Sequence, residues 1–541
     1  MKKNRIFEQI FQKIECGKKN LSGAWAVFLI GILVHFFKLS NYMVNHDSVV
    51  LYGNNYDWLL AQGKWFVTPL SSLEARYLNI SYLSMLIGII AFTLSSILFC
   101  DAFKIQKREL RFLVGLMFVT FPSIAAMSLY ESLDYFGCTF LLATSAGYFL
   151  MKERIITKII GVTLLIFSLG AYQPFLGITL VMLVLDCLLR FSSNEKWHKV
   201  TLRGVWYVIL SICGCGLYYV VLRYRLYITS TTLASYKGID QMPSNLTPSV
   251  FFNSLVGAYK DATSYYFTDF LGIYGKRFPT MNYILLLLLF LLCIFKFWQS
   301  GALKSIGNLI MGGLMIFLLP LAVNVVGLLS ANSTFYYISI APFVMIFAAP
   351  VVLLGCELNG QVSMGGKAIL IAPKSQKYIQ ASLHSILVVA AILQSINWIV
   401  QDNIVYYKEK LNNFALEAKM TVLASSIQNC EGYEQGCSVY IVGTPPYDYL
   451  ITSSGKVMDF QYHYNTDGFG LFSVESTYSP GLIEAYFRNM LSMSNHFADL
   501  DDSYPWIVNR TYDMPVYPTA GSIKTIDDYV IVKLSNNYRL N

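Results

Sequence analysis

A chain of 541 residues that is 55% hydrophobic and 13% charged, with a mean hydropathy of +0.49, is too apolar for a soluble globular protein. It reads as a polytopic α-helical membrane protein. The net charge of +8 divides unevenly, with 31 Lys+Arg against 16 Asp+Glu up to Val400 and 9 against 16 from Gln401 onward. A basic membrane part and an acidic tail point to a soluble module beyond the membrane and argue against nucleic acid as a partner.

Residues 1–20 carry Lys2, Lys3, Arg5, Lys13, Lys18 and Lys19 ahead of the apolar run 21–37. No small-residue cleavage motif follows, so they read as a basic inner N-terminus and a retained first span. Runs of the length needed to cross a bilayer, about 17 to 25 residues, then centre on 78–100, 112–130, 135–151, 204–222, 281–298, 306–329, 335–356 and 381–400. The stretch 159–191 is too long for one span. The sequence SLGAYQPFLG in its middle reads as a turn, giving two short spans that meet at Gly170 to Pro174. The total is about eleven spans.

The distribution of cations supports that parity. Connections assigned inside hold Lys104, Lys107, Arg108 and Arg111, then Lys152, Arg154 and Lys158, then Arg190, Lys196, Lys199 and Arg203, then Lys296 and Lys304, and finally Lys367, Lys374 and Lys377. The short outer connections near Glu131, Tyr172 and Ser333 hold none. Residues 21–400 therefore form a transmembrane domain, with outer loops 41–77 and 223–280, and residues 401–541 lie outside. The loop 223–280 is too polar to span cleanly and is amphipathic enough to lie at or re-enter the interface. The tail shows a helical pattern over 407–428, strand-like runs at 438–443 and 527–534, and a second helix near 482–493, a small extracytoplasmic α/β domain. Eight cysteines lie in or beside apolar runs and read as packing residues. Cys430 and Cys437 flank the turn-like EGYEQG in the exported tail, and their pairing is left open.

The loop 41–77 is acidic and aromatic, a poor packing element and a plausible active-site wall. Asp47, in Asn45-His46-Asp47-Ser48 just past the first span, is the candidate for acid/base chemistry, because an ionisable group at that depth is costly unless it pairs or works. Asp57 is a further outer-face acid beside its ordinary reading as a solvated or capping group, and Glu131 and Asp134 could bind a sugar or cation or cap the next helix. Trp58 and Trp65 could stack on sugar faces or serve as membrane-belt aromatics. Tyr172 and Gln173 stand at an outer turn, where a buried Gln needs a sugar hydroxyl or a backbone carbonyl as partner. Inverting transfer of a sugar needs one carboxylate for the acceptor proton. A lipid-phosphate leaving group needs cations, for which Arg76, Arg223, Arg225, Lys276 and Arg277 are candidates beside their ordinary reading as interfacial anchors. His46 alone makes no metal site, and none is expected.

Asn45-His46-Asp47, Tyr52-Gly53, Asp57-Trp58-Leu59-Leu60-Ala61-Gln62-Gly63-Lys64-Trp65 and Gly170-Ala171-Tyr172-Gln173 resemble motifs of the Gtr-type membrane glucosyltransferases that decorate bacterial O-antigen, which have the GT-C architecture. The resemblance covers roughly the first 200 residues at motif level. It implies an inverting transferase that takes a hexose, usually glucose, from a polyprenyl-phosphate donor made on the inner face by a synthase and flipped outward by a partner protein. The acceptor it implies is a sugar of a lipid-linked surface polysaccharide, and the base it implies is an acid of the first outer loop, Asp47 here. No cofactor is expected. Rival readings are a transporter or flippase of lipid-linked sugars, a polysaccharide polymerase or ligase, and a structural protein. A transporter is expected to carry its ionisable residues near mid-membrane in repeated halves, a pattern this sequence lacks.

Overall fold

The structure, a computed structural model, describes residues 23–43, 56–67, 80–130, 133–234, 247–267, 277–329, 338–356, 374–443, 479–497 and 504–536. Chain segments in lipid have no water to bond their peptide groups, so the apolar runs become helices, in which every interior group is matched within the segment. In chain order these are α1 (Gly23–Val34), α2 (Phe36–Ser40), α3 (Tyr56–Ala61), α4 (Ser81–Ala102), α5 (Arg108–Thr120), α6 (Ser123–Leu129), α7 (Leu133–Leu150), α8 (Ile155–Ala171), α9 (Leu176–Ser192), α10 (Trp197–Thr229), α11 (Pro248–Phe267), α12 (Arg277–Ser300), α13 (Ile306–Val323), α14 (Val325–Leu329), α15 (Val344–Gly355) and α16 (Lys374–Gln428). Polar side chains inside them bond back to their own helix: Thr93, Ser95, Thr120, Thr139 and Thr144 each donate to the carbonyl four residues earlier.

Among the described residues, seven helical stretches are long and apolar enough to cross a membrane, and 23–34, 155–171 and 341–355 are shorter apolar helices. Each run read from the sequence as a span holds a helix. Exposed apolar side chains such as Ile212 (65% exposed), Ile310 (65%) and Phe317 (63%) form a surface that water would not tolerate and lipid tails would cover. The protein is thus a helical membrane protein with a small C-terminal sheet.

One span carries a break and two expectations are corrected. The run 112–130 is broken: Phe121 is extended (φ −70°, ψ 132°) because Pro122 disfavours the helical conformation in the residue before it, and α6 restarts at Ser123. Arg223 and Arg225 ride on the last turns of α10, which runs to Thr229, and Arg277 opens α12, so the span ends lie deeper into 223–280 than hydropathy placed them. The tail helix expected at 407–428 is the end of one 55-residue helix that begins at Lys374. No Gly or Pro interrupts α16, so nothing stops it where its apolar run ends, and at 1.5 Å per residue it reaches about 80 Å, far beyond a bilayer core.

That overhang carries the C-terminal sheet. Strands β1 (Ser438–Val442), β2 (His496–Phe497), β3 (Ile523–Ile526) and β4 (Tyr529–Lys533) lie in the order β2-β1-β4-β3, with β1 parallel to β2 and β4, and β3 antiparallel to β4. One face packs Val439, Ile441, Val530 and Val532 on Leu416, Met420, Leu423 and Ile427 of α16 and on Phe487 of α17 (Ser479–Leu491). The other packs Tyr440, Val442 and Ile531 on Ile507 and Val508 of α18 (Tyr504–Arg510). With both faces covered, the central strands read as unbroken apolar runs, which is why they were visible in the sequence. Cys430 and Cys437 are free thiols with separate neighbours, Thr525 and Asn495.

At the basic end of the bundle, Asp186 of α9 is a buried hub. Its Oδ2 accepts from Arg190 Nε (3.0 Å), Arg203 Nε (3.0 Å) and the Tyr207 hydroxyl (2.7 Å). Arg203 also donates to the Met151 carbonyl (2.7 Å) and to Glu153, so one guanidinium joins α9, α10 and the connection between α7 and α8. Its hydrogen bond holds the Glu153 carboxyl below the usual carboxylate range. Asp186→Ala removes the acceptor and leaves two guanidiniums facing each other. With some relief from the partial exposure of Arg190, we expect a loss of about 2–4 kcal/mol, read as a lower thermal midpoint in detergent.

Candidate functional site

The end of the bundle opposite the basic connections is built around the elbow between α8 and α9. Pro174 has no N–H to donate, so α8 stops at Ala171, Tyr172 turns extended (φ −150°) and Gln173–Phe175 form a single 3-10 turn before α9 begins. The carbonyls and side chains freed there are taken up by distant segments. The Tyr135 hydroxyl donates to Ala171 O (2.6 Å), and Phe66 N donates to Gly170 O (2.7 Å).

Gln173 ties the elbow to the segment that follows α3. Its Nε2 donates to Gln62 O (3.1 Å), 111 residues away in sequence, and to the Tyr218 hydroxyl (3.0 Å), which in turn donates to Gly63 O (3.0 Å). The choice left open for Gln173 is thus met here by a backbone carbonyl and a tyrosine. Gly63 has φ +78°, and a Cβ there would lie 2.6 Å from the Tyr218 hydroxyl and 2.8 Å from Gln173 Nε2, so the turn needs glycine twice over. Gly170 lets the Trp65 ring close in, since a Cβ would meet the ring at 2.5 Å. Ala234 N donates to Ala61 O (3.0 Å), bringing the chain beyond α10 onto the same assembly. The two motif segments, 57–65 and 170–173, are therefore one structural unit.

Around it stand several of the residues singled out from sequence. Trp65 packs against Phe66 and Phe167 at ring-centroid distances of 5.7 and 6.0 Å, and its buried indole Nε1 has no hydrogen-bond partner. Lys64 Nζ lies 5.7 Å from the centroid of the buried Tyr172 ring. Leu60, Leu222 and Leu226 join α3 to the end of α10, where Arg223 is exposed and Arg225 is half-buried with its Nε unpartnered. Trp58 is 38% exposed. Asp134 sits in the first turn of α7, buried, accepting from Ser84 Oγ at 2.7 Å and returning its own N–H to that oxygen at 3.2 Å. An acid there complements the helix N-terminus, and Gly88 and Gly137 allow α4 and α7 the close approach that makes the pair. Asp57 and Arg277 are placed only as backbone, in α3 and α12. Asp47, His46, Arg76, Glu131 and Lys276 lie outside the described residues.

A second buried group at this end was not anticipated. His35, with no exposed surface, lies 2.8 Å from Val119 O through Nε2 and 2.8 Å from the Tyr406 hydroxyl through Nδ1. A carbonyl only accepts, so Nε2 carries the proton and Nδ1 accepts from Tyr406. Asn403 Nδ2 donates to Val34 O (3.2 Å), and Ser128 Oγ lies 3.3 Å from the Tyr406 hydroxyl. The point where the chain leaves the first helix towards Asp47 is thus fixed to α5, α6 and α16. Beside this tether Lys38, Gln401, Asp402 and Glu409 are all buried. The signal was present in the sequence, since Asp402 and Glu409 follow an apolar run as Asp47 does. Among the described residues, no three His, Cys, Asp or Glu side chains gather as a metal site.

Gln173→Leu should cost about 1–3 kcal/mol of thermal stability, because it leaves two buried groups unmatched. Tyr218→Phe in that background should cost less than Tyr218→Phe alone, a double-mutant cycle that reads the shared network. Gly63→Ala should be more damaging than either single change, measured as yield of folded protein from membranes, because strain at φ +78° adds to the collision.

No curated protein matches the chain. A family profile described as Glucosyl transferase GtrII matches residues 36–354, more than half of its length, and both docked motif segments fall within that stretch. The chain belongs to the GtrII glucosyl transferase family.

Proposed function

We propose that the protein transfers glucose from a polyprenyl-phosphate carrier to a sugar of a lipid-linked O-antigen or related surface polysaccharide, at the outer face of a bacterial inner membrane, by a GT-C-type mechanism. Family membership supplies the glucosyl transfer. The observation that carries the rest is the docking of 57–65 onto the elbow at Gln173, at the end of the bundle from which the chain leaves towards Asp47.

In this reading Asp47 takes the proton of the acceptor hydroxyl as that oxygen attacks the anomeric carbon. The bond from that carbon to the phosphate oxygen breaks on the opposite face, the configuration inverts, and polyprenyl phosphate leaves with the bonding pair. A phosphate needs no general acid to leave, but its charge must be met. Arg223 and the half-buried Arg225 at the end of α10, with Arg76, Lys276 and Arg277, are the proposed cations, in place of a bound metal ion. Trp58, Trp65, Tyr172, Asp57, Glu131 and Asp134 complete the proposed sugar site, and the N-terminus is cytoplasmic with residues 401–541 outside. A synthase that charges the carrier and a flippase that turns it outward would supply the donor.

Asp47→Asn should lower transfer of radiolabelled glucose from polyprenyl-phosphate-glucose to lipid-linked polysaccharide by about 10²- to 10⁴-fold at unchanged membrane expression. Transfer within twofold of the unmutated protein would remove Asp47 as the base.

A further inference from the structure

Asp402 lies on α16, one turn beyond Trp398 and one turn before Tyr406. It has no exposed surface, and neither of its carboxylate oxygens has a hydrogen-bond partner. The helical turn before it is packed among rings. Trp398 packs edge-on against Phe121 and Phe347, each at 5.1 Å, and Phe121 in turn meets Tyr265 of α11 at 6.3 Å. The neighbouring Asn403 amide is engaged on Val34 O and Ile399 O.

Such a side chain opposes folding. An ionised carboxylate without a partner is among the most costly groups to bury, and a neutral acid still leaves a donor and an acceptor unmatched. Other buried or half-buried polar side chains of the bundle are engaged: His35 on Val119 and Tyr406, Asp134 on Ser84, and Gln173 on Gln62 and Tyr218. Asp402 stands apart from them, within a turn of the tether that fixes the departure of the first loop. A carboxylate accepts up to four hydrogen bonds and donates none, so the partner it lacks is a donor-rich group. Adjacent hydroxyls of a hexose are such a group.

Resting on the glucosyl-transfer reading above, we propose that Asp402 is a substrate-binding acid whose carboxylate accepts hydrogen bonds from the hydroxyls of a hexose at the transfer site. The hexose is that of the donor or that of the acceptor, which share this chemistry. Seclusion from water strengthens each such bond, so one residue contributes substantially to sugar affinity.

The test uses the full-length protein with Asp402→Asn and Asp402→Leu. Both variants should unfold at or above the midpoint of the unmutated protein in detergent, because each removes an unmatched buried charge. Both should nevertheless lose about 10- to 100-fold in kcat/KM for glucose transfer, the effect of one charged hydrogen bond. A KM that rises for prenyl-phosphate-glucose alone identifies the donor sugar as the ligand, and one that rises for the polysaccharide alone identifies the acceptor sugar. Kinetic constants within twofold of the unmutated protein, or lower midpoints in both variants, overturn the proposal. If the unmutated protein transfers nothing, the glucosyl-transfer reading fails by itself, and ligand-induced stabilisation decides about Asp402. A rise in midpoint with prenyl-phosphate-glucose beyond that with prenyl phosphate, or with the lipid-linked polysaccharide beyond that with its lipid carrier, present in the unmutated protein and lost in Asp402→Asn, supports it. A rise that both proteins share, or that neither gives, overturns it.

Discussion

Lipid offers a peptide group no partner, so backbone that leaves the helical path must find its hydrogen bonds within the protein. The irregular stretches of this chain follow that constraint. Around Gly170 and Ala171 the carbonyls are taken by Phe66 N and the Tyr135 hydroxyl, and the turn at Gln62 and Gly63 is matched by Gln173 and Tyr218. At the break between α13 and α14, Asn324 donates to Ala258 O of α11. Irregular backbone concentrates where helices end and side chains from several elements converge, and the elbow and the turn at Gly63 hold the two docked segments, which fall within the matched family stretch. The physical condition for leaving the helix and the condition for building a polar site coincide, because both call for side chains that present donors and acceptors away from water.

The long helix α16 gives the molecule a second organising element. Its first part packs in the bundle, its middle presents Asp402, Asn403 and Tyr406 beside the end of the first helix, and its last part is the platform for the sheet. Without Gly or Pro between Lys374 and Gln428, it has no built-in hinge. The sheet region is therefore joined to the tether at His35 by continuous helix. At the opposite end, the ion network around Asp186 holds α9, α10 and the connection between α7 and α8 together.

What the sequence by itself determined is what depends on sums over neighbouring residues. Apolar runs gave the helices, Pro174 gave the elbow, and the runs at Ser438 and Tyr529 gave the two central strands of the sheet. Hydropathy reports transfer to lipid and not helix continuity, which is why it ended a span at Val400 inside a helix that runs to Gln428 and ended another at Leu222 inside one that runs to Thr229. Only the tertiary structure decided which polar groups meet. Gln173 on Gln62, Ser84 on Asp134 and His35 on Tyr406 are pairs separated by 111, 50 and 371 residues, and a hydrogen bond at 3 Å depends on the packing of every helix between them. The same holds for Asp402: its sequence neighbours mark an acid at the end of an apolar run, and burial without a partner is a property of the folded surroundings alone.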